Sequence, residues 1–158
     1  TTPLWRDLEK YAVRCGGGLN HRMGLYDMVL IKENHIRWAG GLDEAVQHSL
    51  EEIGTDRTAI KIEVEVRSLE ELESILQYQV DRILLDNMSP TEVRQAVDIV
   101  RHKTALEVSG GITLESVRGY AETGVGYISV GELTHSPRVF DVSLLFKDEL
   151  MAPGELAQ

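Results

Sequence analysis

Short runs of β-branched and aliphatic residues recur along this 158-residue chain at a nearly constant interval. Their centres lie near residues 63, 85, 107 and 129, about 22 residues apart. That interval is just long enough for a strand, a crossover helix and two tight loops. The repeat therefore predicts consecutive βαβ units, whose right-handed crossovers make the strands parallel. The predicted strands cover residues 29–31, 60–66, 83–85, 106–108 and 127–130.

Between the runs, apolar residues fall at helical spacing, which predicts amphipathic helices. Ser68, Ser89 and Thr113 stand where helix caps are expected, each just before such a pattern. A further helical pattern over residues 4–12 ends at three glycines, 16–18, which stop a helix. The internal patterns cover residues 42–53, 69–76, 93–100 and 114–121.

This alternation predicts the α/β class, as an open doubly wound sheet or as a (β/α) barrel. A full eight-unit barrel takes about 250 residues, so 158 residues hold five or six units at most. We therefore expect a partial, TIM-like barrel of parallel strands. Residues 1–147 would form this one domain, and residues 148–158, which have no periodicity, would be a frayed tail.

The charge balance of the chain restricts its partners. There are 26 acidic and 16 basic residues, a formal net charge of −10, which argues against broad contact with nucleic acid. No apolar run approaches the roughly 20 residues that span a bilayer, and the first residues lack the features of a signal peptide. The single cysteine, Cys15, excludes a disulfide framework and indicates a reducing compartment, so we expect a cytoplasmic protein.

Polar or small residues follow the predicted strands in phase with the repeat. Lys32, Glu65, Asp86, Ser109 and Gly131 each stand at or just after a strand's carboxyl end. In parallel α/β folds, chemistry gathers where these ends meet the following loops. We therefore expect these positions to ring one mouth of the barrel.

The two acidic positions have two interpretations each. Glu65 shares a strand face with Glu63, and a buried carboxylate needs a metal ion or a basic partner. The alternative is a structural ion pair of Glu65 with Lys32 or Lys61. Asp86 could hold Mg²⁺ and substrate hydroxyls, or simply cap the following helix.

Glycine-bearing loops follow two consecutive late strands. Ser109-Gly110-Gly111 precedes a predicted helix, an arrangement that cradles phosphate on bare amides. Val130-Gly131-Glu132, one unit later, could form the second half of that cradle. Such paired phosphate loops are frequent in barrels.

A small basic cluster stands out in this acidic chain. His21, Arg22 and Lys32, with His35 as a further candidate, could together hold a small di-acid. Taken singly, each has a simpler explanation, and His35 reads best as a hydrogen-bonded loop histidine.

Residues 9–27 and 29–36 closely resemble quinolinate phosphoribosyltransferase, the carboxylating nicotinate-nucleotide pyrophosphorylase family. The resemblance includes the run Gly16-Gly17-Gly18-Leu19-Asn20-His21-Arg22 and extends over about residues 1 to 147. Further matching segments are residues 61–66, 84–90, 107–113, 120–125 and 128–136.

The resemblance implies an incomplete barrel that is the C-terminal domain of a homodimer or higher homo-oligomer. The family joins quinolinate to phosphoribosyl pyrophosphate with Mg²⁺, releasing pyrophosphate and CO₂ and forming nicotinate mononucleotide for NAD biosynthesis. By matching motif, the quinolinate carboxylates would lie on His21, Arg22 and Lys32. The ribose hydroxyls and the metal would lie on Glu65 and Asp86, which with Lys32 are the expected catalytic residues. The 5′-phosphate would lie on residues 109–111 and 130–132.

The sequence departs from the family at its start. The family's N-terminal α/β domain and a Thr-Arg-Lys segment before Thr1 are missing, and Leu4-Trp5 replaces the usual Gly-Leu pair. The chain would then keep the site residues, lack full activity and expose normally covered surface. Two alternatives stay open: the related molybdenum-transport-associated pyrophosphorylase or another phosphoribosyltransferase, and a non-catalytic phosphoribosyl-binding remnant.

Overall fold

Five parallel strands form one sheet in a computed structural model, which describes residues 1–54 and 60–145. The predicted frayed tail, 148–158, lies outside the described residues, as do the last two residues of the predicted barrel domain. The strands are β1 (Met28–Ile31), β2 (Lys61–Val66), β3 (Arg82–Asp86), β4 (Ala105–Ser109) and β5 (Tyr127–Ile128).

The strand order is β1-β2-β3-β4-β5, so each strand pairs with its neighbours in sequence. A doubly wound sheet reverses direction part-way, whereas a barrel keeps adding strands on the same side. The order therefore selects the barrel from the two predicted architectures. Within the described ranges β5 does not pair with β1, so this barrel is incomplete, as predicted.

Helices connect the strands and cover one face of the sheet. Two of them, α2 (Glu33–Ala39) and α7 (Glu132–His135), were not predicted. The last internal pattern was predicted over residues 114–121 with Thr113 as its cap, but the helix begins at Val117, because a turn at residues 113–116 precedes it. The helices are α1 (Arg6–Cys15), α2 (Glu33–Ala39), α3 (Leu42–Ile53), α4 (Leu69–Ile75), α5 (Pro90–Val100), α6 (Val117–Ala121) and α7 (Glu132–His135).

Two predicted helix starts are confirmed by their hydrogen bonds. The Ser68 hydroxyl accepts the Glu71 amide of α4 at 3.2 Å. At the start of α5, Ser89 and Glu92 form a reciprocal capping box, in which the Glu92 carboxylate accepts the Ser89 amide at 2.7 Å. Each cap satisfies helix amides that would otherwise lack partners.

The sheet has two chemically different faces. Alternate residues of β2, Ile62, Val64 and Val66, are fully buried in a core with the apolar sides of the helices. The residues between them, Glu63 and Glu65, are also buried and face the barrel interior. Burial is therefore nearly equal on both faces, while charge is confined to the interior.

Helix α1 lies against the loop that follows it through polar contacts. Its one buried residue is Lys10, whose ammonium donates to the His21 carbonyl at 3.3 Å, and burial lowers the pKa of Lys10. Arg6 donates to the Met23 carbonyl at 2.8 Å. The apolar residues that gave α1 its helical spacing, Leu8 and Tyr11, stay exposed. None of the helices described has the length and apolar character needed to cross a bilayer.

Candidate active site

Lys32 and Glu65 form an ion pair at the carboxyl ends of β1 and β2. Lys32 follows the last residue of β1, and its Nζ lies 3.0 Å from Oε2 of Glu65, a carboxylate that is only 6% exposed. The structure thus contains the Lys32 pair that was weighed as the simpler explanation for Glu65, whereas Lys61 is exposed. His35 lies in α2 rather than in a loop, and its Nδ1 accepts the Lys32 amide at 3.0 Å.

Asp86 ends β3 and lies opposite Ser109, the last residue of β4. The Ser109 hydroxyl donates to Oδ1 of Asp86 at 3.4 Å, and the Asn87 side-chain amide donates to Oδ2 at 2.9 Å. Asn87 adopts a left-handed backbone conformation, with φ of 56°, and its backbone amide donates to the Ser109 carbonyl at 2.9 Å. This cross-strand bond fixes the Asp86 carboxylate beside the loop that carries the two glycines.

Arg67, which was not predicted as a site residue, lies between the two predicted carboxylates. Its Nε is 3.6 Å from Oδ2 of Asp86, and its Nη2 is 3.9 Å from Oε1 of Glu65. Its closest partner is Glu33, at 2.8 Å, and the hydrogen bond to Glu33 raises the pKa of Arg67. Its position directly after β2 could have indicated a site residue, because the residues at the carboxyl ends of the strands form the rim.

The two glycine-bearing loops enclose one cavity of about 430 Å³. Gly110 and Gly111 both have positive φ, at 101° and 59°, which glycine adopts without strain. A Cβ at Gly110 would lie 2.9 Å from the Asn87 backbone nitrogen. Neither glycine amide donates to another described residue, so both are available to an anion. The lining residues are Ser109, Gly110, Gly111, Ile112, Thr113, Ser129, Gly131, Glu132 and His135.

The second loop contributes to two cavities. Gly131 and Glu132 line the cavity shared with the first loop, whereas Val130 lines a neighbouring one beside Lys10 and His21. The predicted cradle positions thus lie together at the ends of β4 and β5, with Val130 on the side that faces α1.

A network of charged side chains lies in the interior of the barrel. Nε2 of His21 lies 2.8 Å from Oε2 of Glu63 and 3.7 Å from Oε1 of Glu107. Arg82 forms an ion pair with the other oxygen of Glu107, and its guanidinium stacks 4.0 Å from the Tyr127 ring centre. Two buried carboxylates, Glu63 and Glu107, therefore have Arg82 and His21 as their neighbours.

Sequence reasoning missed Glu107 and Arg82. Leu106-Glu107-Val108 repeats the alternation of Ile62-Glu63-Val64, and this signal would have placed Glu107 inside the barrel. Arg82 begins β3, where a basic residue carries no comparable signal. Within residues 1–54 and 60–145, Glu63, Glu107 and His21 also form a group whose ligand atoms lie within 4.8 Å of one another. Oε1 of Glu63 is buried without a hydrogen-bond partner.

The three main residues of the predicted basic cluster have separate partners in the structure. His21 points to the interior network, Lys32 pairs with Glu65 at the rim, and Arg22 donates to the Met28 carbonyl at 3.2 Å. In the part of the chain that the structure describes, no ion pair or hydrogen bond joins Arg22 to Lys32. A di-acid held by all three would bridge the interior and the rim.

The family model for the quinolinate phosphoribosyl transferase C-terminal domain matches residues 1–145. The chain belongs to the quinolinate phosphoribosyltransferase family. The match covers the rim, the glycine-bearing loops and the interior network, so these are features of a quinolinate phosphoribosyltransferase C-terminal domain.

Relatives in the quinolinate phosphoribosyltransferase family match over most of the chain. A probable carboxylating nicotinate-nucleotide pyrophosphorylase of Bacillus subtilis is 45% identical over 91% of this chain and 49% of its own length. A decarboxylating mitochondrial quinolinate phosphoribosyltransferase of Nicotiana glauca is 41% identical over 95% of this chain and 47% of its own. The chain therefore spans about half the length of these curated relatives.

Solved structures agree with the family assignment. The Francisella tularensis nicotinate-nucleotide pyrophosphorylase superposes with a TM-score of 0.78 at 48% identity, covering 85% of this chain and 46% of that one. The Ehrlichia chaffeensis enzyme of the same name gives 0.80 at 45% identity, covering 86% and 48%. A thiamine phosphate pyrophosphorylase from Pyrococcus furiosus, at 18% identity and a TM-score of 0.51, shares the fold alone.

Proposed function

We propose that this chain carries the site that transfers a phosphoribosyl group from phosphoribosyl pyrophosphate to quinolinate, with decarboxylation to nicotinate mononucleotide. The observation that carries the proposal is the shared rim. A lysine, two carboxylates and a glycine-lined cavity all lie at the carboxyl ends of parallel strands. This is where α/β barrels place their chemistry.

Quinolinate would bind through its two carboxylates to Lys32, His21 and Arg22. Lys32 is half-exposed at the rim and can turn from Glu65 to a ligand. Clamping both carboxylates orients the pyridine nitrogen toward the anomeric carbon of the ribose, which lowers the entropic part of the barrier. Charge-assisted hydrogen bonds make such a clamp selective for a di-acid.

The ribosyl phosphate would lie along the rim toward the glycine loops. The cavity between residues 109–113 and 129–135 offers free amides to the 5′-phosphate, and Glu65 and Asp86 face the ribose hydroxyls. Their carboxyl oxygens also suit Mg²⁺, which when bound neutralises the leaving pyrophosphate. The same carboxylates stabilise the positive charge that develops at the anomeric carbon.

Bond changes follow from this placement. The pyridine nitrogen donates its electron pair to the anomeric carbon while the bond to pyrophosphate breaks. The alkylated ring is then positively charged, so the adjacent carboxylate leaves as CO₂ and its electron pair stays on the ring. A solvent proton replaces it, and no side chain of this chain has to act as a base.

Binding calorimetry with Lys32→Ala tests the clamp. We expect quinolinate affinity to fall about tenfold or more, because a charge-assisted hydrogen bond contributes about 1.5–3 kcal/mol. Nicotinate, with one carboxylate, should bind more weakly than quinolinate to the unaltered chain. Lys103→Ala, an exposed lysine away from the rim, is the matched control. Unchanged quinolinate affinity in Lys32→Ala contradicts the assignment.

Product formation tests the reaction itself. Incubation of the chain with quinolinate, phosphoribosyl pyrophosphate and Mg²⁺ should yield nicotinate mononucleotide, detected by chromatography. Binding of both substrates without product would favour a phosphoribosyl-binding protein that does not turn over.

We further propose that the chain works as a homodimer in the cytoplasm. Exposed apolar side chains on and beside α1, including Trp5, Leu8 and Tyr11, support self-association, and the free Cys15 suits a reducing compartment. Sedimentation equilibrium should give twice the mass of one chain, and a monomer at micromolar concentration would contradict the dimer.

A further inference from the structure

Arg67 occupies the space between the two acidic residues of the rim. Its guanidinium reaches both Asp86, at 3.6 Å, and Glu65, at 3.9 Å, and it is anchored by Glu33 at 2.8 Å. Both contacts to the rim carboxylates are longer than the contact to Glu33. The position of Arg67 is therefore set by a competition between Glu33 and the rim.

The rim carboxylates differ from Arg67 in burial. Glu65 is 6% exposed and Asp86 is 16% exposed, whereas Arg67 and Glu33 are both about half exposed, at 50% and 49%. The carboxylates are thus held in place, while the arginine and its anchor lie in solvent and can move. Arg67 is a movable positive charge that is attracted to both carboxylates. It would therefore compete with a metal ion for them.

A divalent ion at Glu65 and Asp86 would feel the charge of Arg67 directly. Removal of a unit positive charge a few ångströms from a doubly charged ion changes its affinity by about three- to tenfold in a solvent-like dielectric. The size of the change depends on where Arg67 lies. Turned to the rim it repels the ion, and held by Glu33 it repels the ion less.

We propose that Arg67, steered by Glu33, sets the affinity of the Glu65 and Asp86 carboxylates for a divalent cation. Arg67 is a positioning residue here, because it acts on the ion through the space between the carboxylates. The inference rests on the proposed function, which places the cation at these two residues. It adds that the two carboxylates bind the ion more tightly when Glu33 holds the Arg67 guanidinium away from them.

Manganese serves as the probe, because its binding to the whole chain can be followed by electron paramagnetic resonance without substrate. We expect Arg67→Ala to bind Mn²⁺ about three- to tenfold more tightly than the unaltered chain. Glu33→Gln should bind it more weakly, about twofold, since Arg67 then has only the rim carboxylates as partners. Arg118→Ala, which removes an exposed arginine paired with Glu122, should change nothing.

A double variant tests whether Glu33 acts on the ion through Arg67 or through its own negative charge. If Glu33 acts through Arg67, Glu33→Gln should have no further effect once Arg67→Ala is present. An additive effect would mean that Glu33 attracts the ion by itself, which overturns the steering. Circular dichroism of each variant checks that the sheet is intact.

Three further outcomes would overturn the proposal. One is equal Mn²⁺ affinity in Arg67→Ala and the unaltered chain. Another is weaker binding in Arg67→Ala, which would mean that the arginine organises the carboxylates. The third is no Mn²⁺ binding in either protein. Quinolinate calorimetry on the same samples without metal tests the proposed function separately, because the carboxylate clamp does not include Arg67.

Discussion

The two faces of the sheet are buried alike, but its buried charged side chains, Glu63, Glu65 and Glu107, lie on the interior face. On the helix side, Val64, Ile83 and Leu85 are fully buried among apolar side chains. On the interior side, Glu63 and Glu107 are at most 2% exposed and rely on His21 and Arg82 as partners. The interior of this barrel thus contains a charged network beside the buried apolar side chains of Met28, Leu30 and Leu84. An apolar filling is usual in such barrels.

The two faces are expected to contribute differently to the stability of the fold. Apolar burial on the helix side contributes free energy in proportion to area, without directional demands. Buried ion pairs gain little net stability, because their desolvation offsets their attraction. The interior charges are therefore expected to add little to the stability of the fold.

The largest effect is expected on the helix side. Leu85→Ala should lower the free energy of unfolding by about 3 kcal/mol, because it leaves a cavity in a close-packed core. Urea denaturation followed by circular dichroism measures the change. A loss below about 1 kcal/mol would mean that this face is loosely packed, and would contradict the view that the helix side stabilises the fold.

A smaller loss is expected at the rim. Gly110→Ala should cost about 1–2 kcal/mol, because its φ of 101° is strained for any residue with a Cβ and because the Cβ would crowd Asn87. The same variant should weaken binding of inorganic phosphate in calorimetry. Gly17→Ala also has a positive φ but open space around the Cβ, so it controls for strain alone.

The interior should respond least to a change of charge. Glu63→Gln keeps the shape and a hydrogen-bond acceptor for His21, and it removes a buried charge that has one oxygen without a partner. We expect the free energy of unfolding to change by less than about 1 kcal/mol and to increase, because a buried and incompletely paired charge is removed. A loss near that of Leu85→Ala would show that the interior charges also hold the fold together.

Strong acid should loosen the loop that delivers His21, because two of its amides are held by the Asp27 carboxylate. Amides of Met23 and Gly24 donate to the Asp27 carboxylate and lower its pKa from 3.8. A lowered pKa means that the contribution of Asp27 is complete above pH 3.8 and is lost as the pH falls through the folded value. The amide NMR signals of Met23 and Gly24 should therefore titrate below pH 3.8. In Asp27→Asn this transition should vanish.

Most of the fold could be predicted because its repeat is regular. Strands β1, β2, β3 and β4 were placed to within one residue at each end, since each has a distinct run of aliphatic and β-branched residues. Strand β5 was predicted over residues 127–130 but ends at Ile128. It pairs with β4 alone, and an edge strand has fewer bonds to extend it. Helix α2 was missed because it is short and has no buried residue.

The site could be predicted only where it follows the strand ends. Lys32, Glu65 and Asp86 occupy such ends, and parallel pairing then brings them together. Arg67 and Arg82 were not assigned, because the position of each along its strand does not specify which carboxylate a long side chain reaches. The ligand roles of all these residues stay predictions until binding is measured.

The strictly sequential strand order has a kinetic consequence. Every pairing joins strands that are close in sequence, so the central strands have neighbours on both sides while β1 and β5 each have one. Opening can then begin at either margin and move inward, one unit at a time. Deuterium should enter the margins first and the backbone of β3 last.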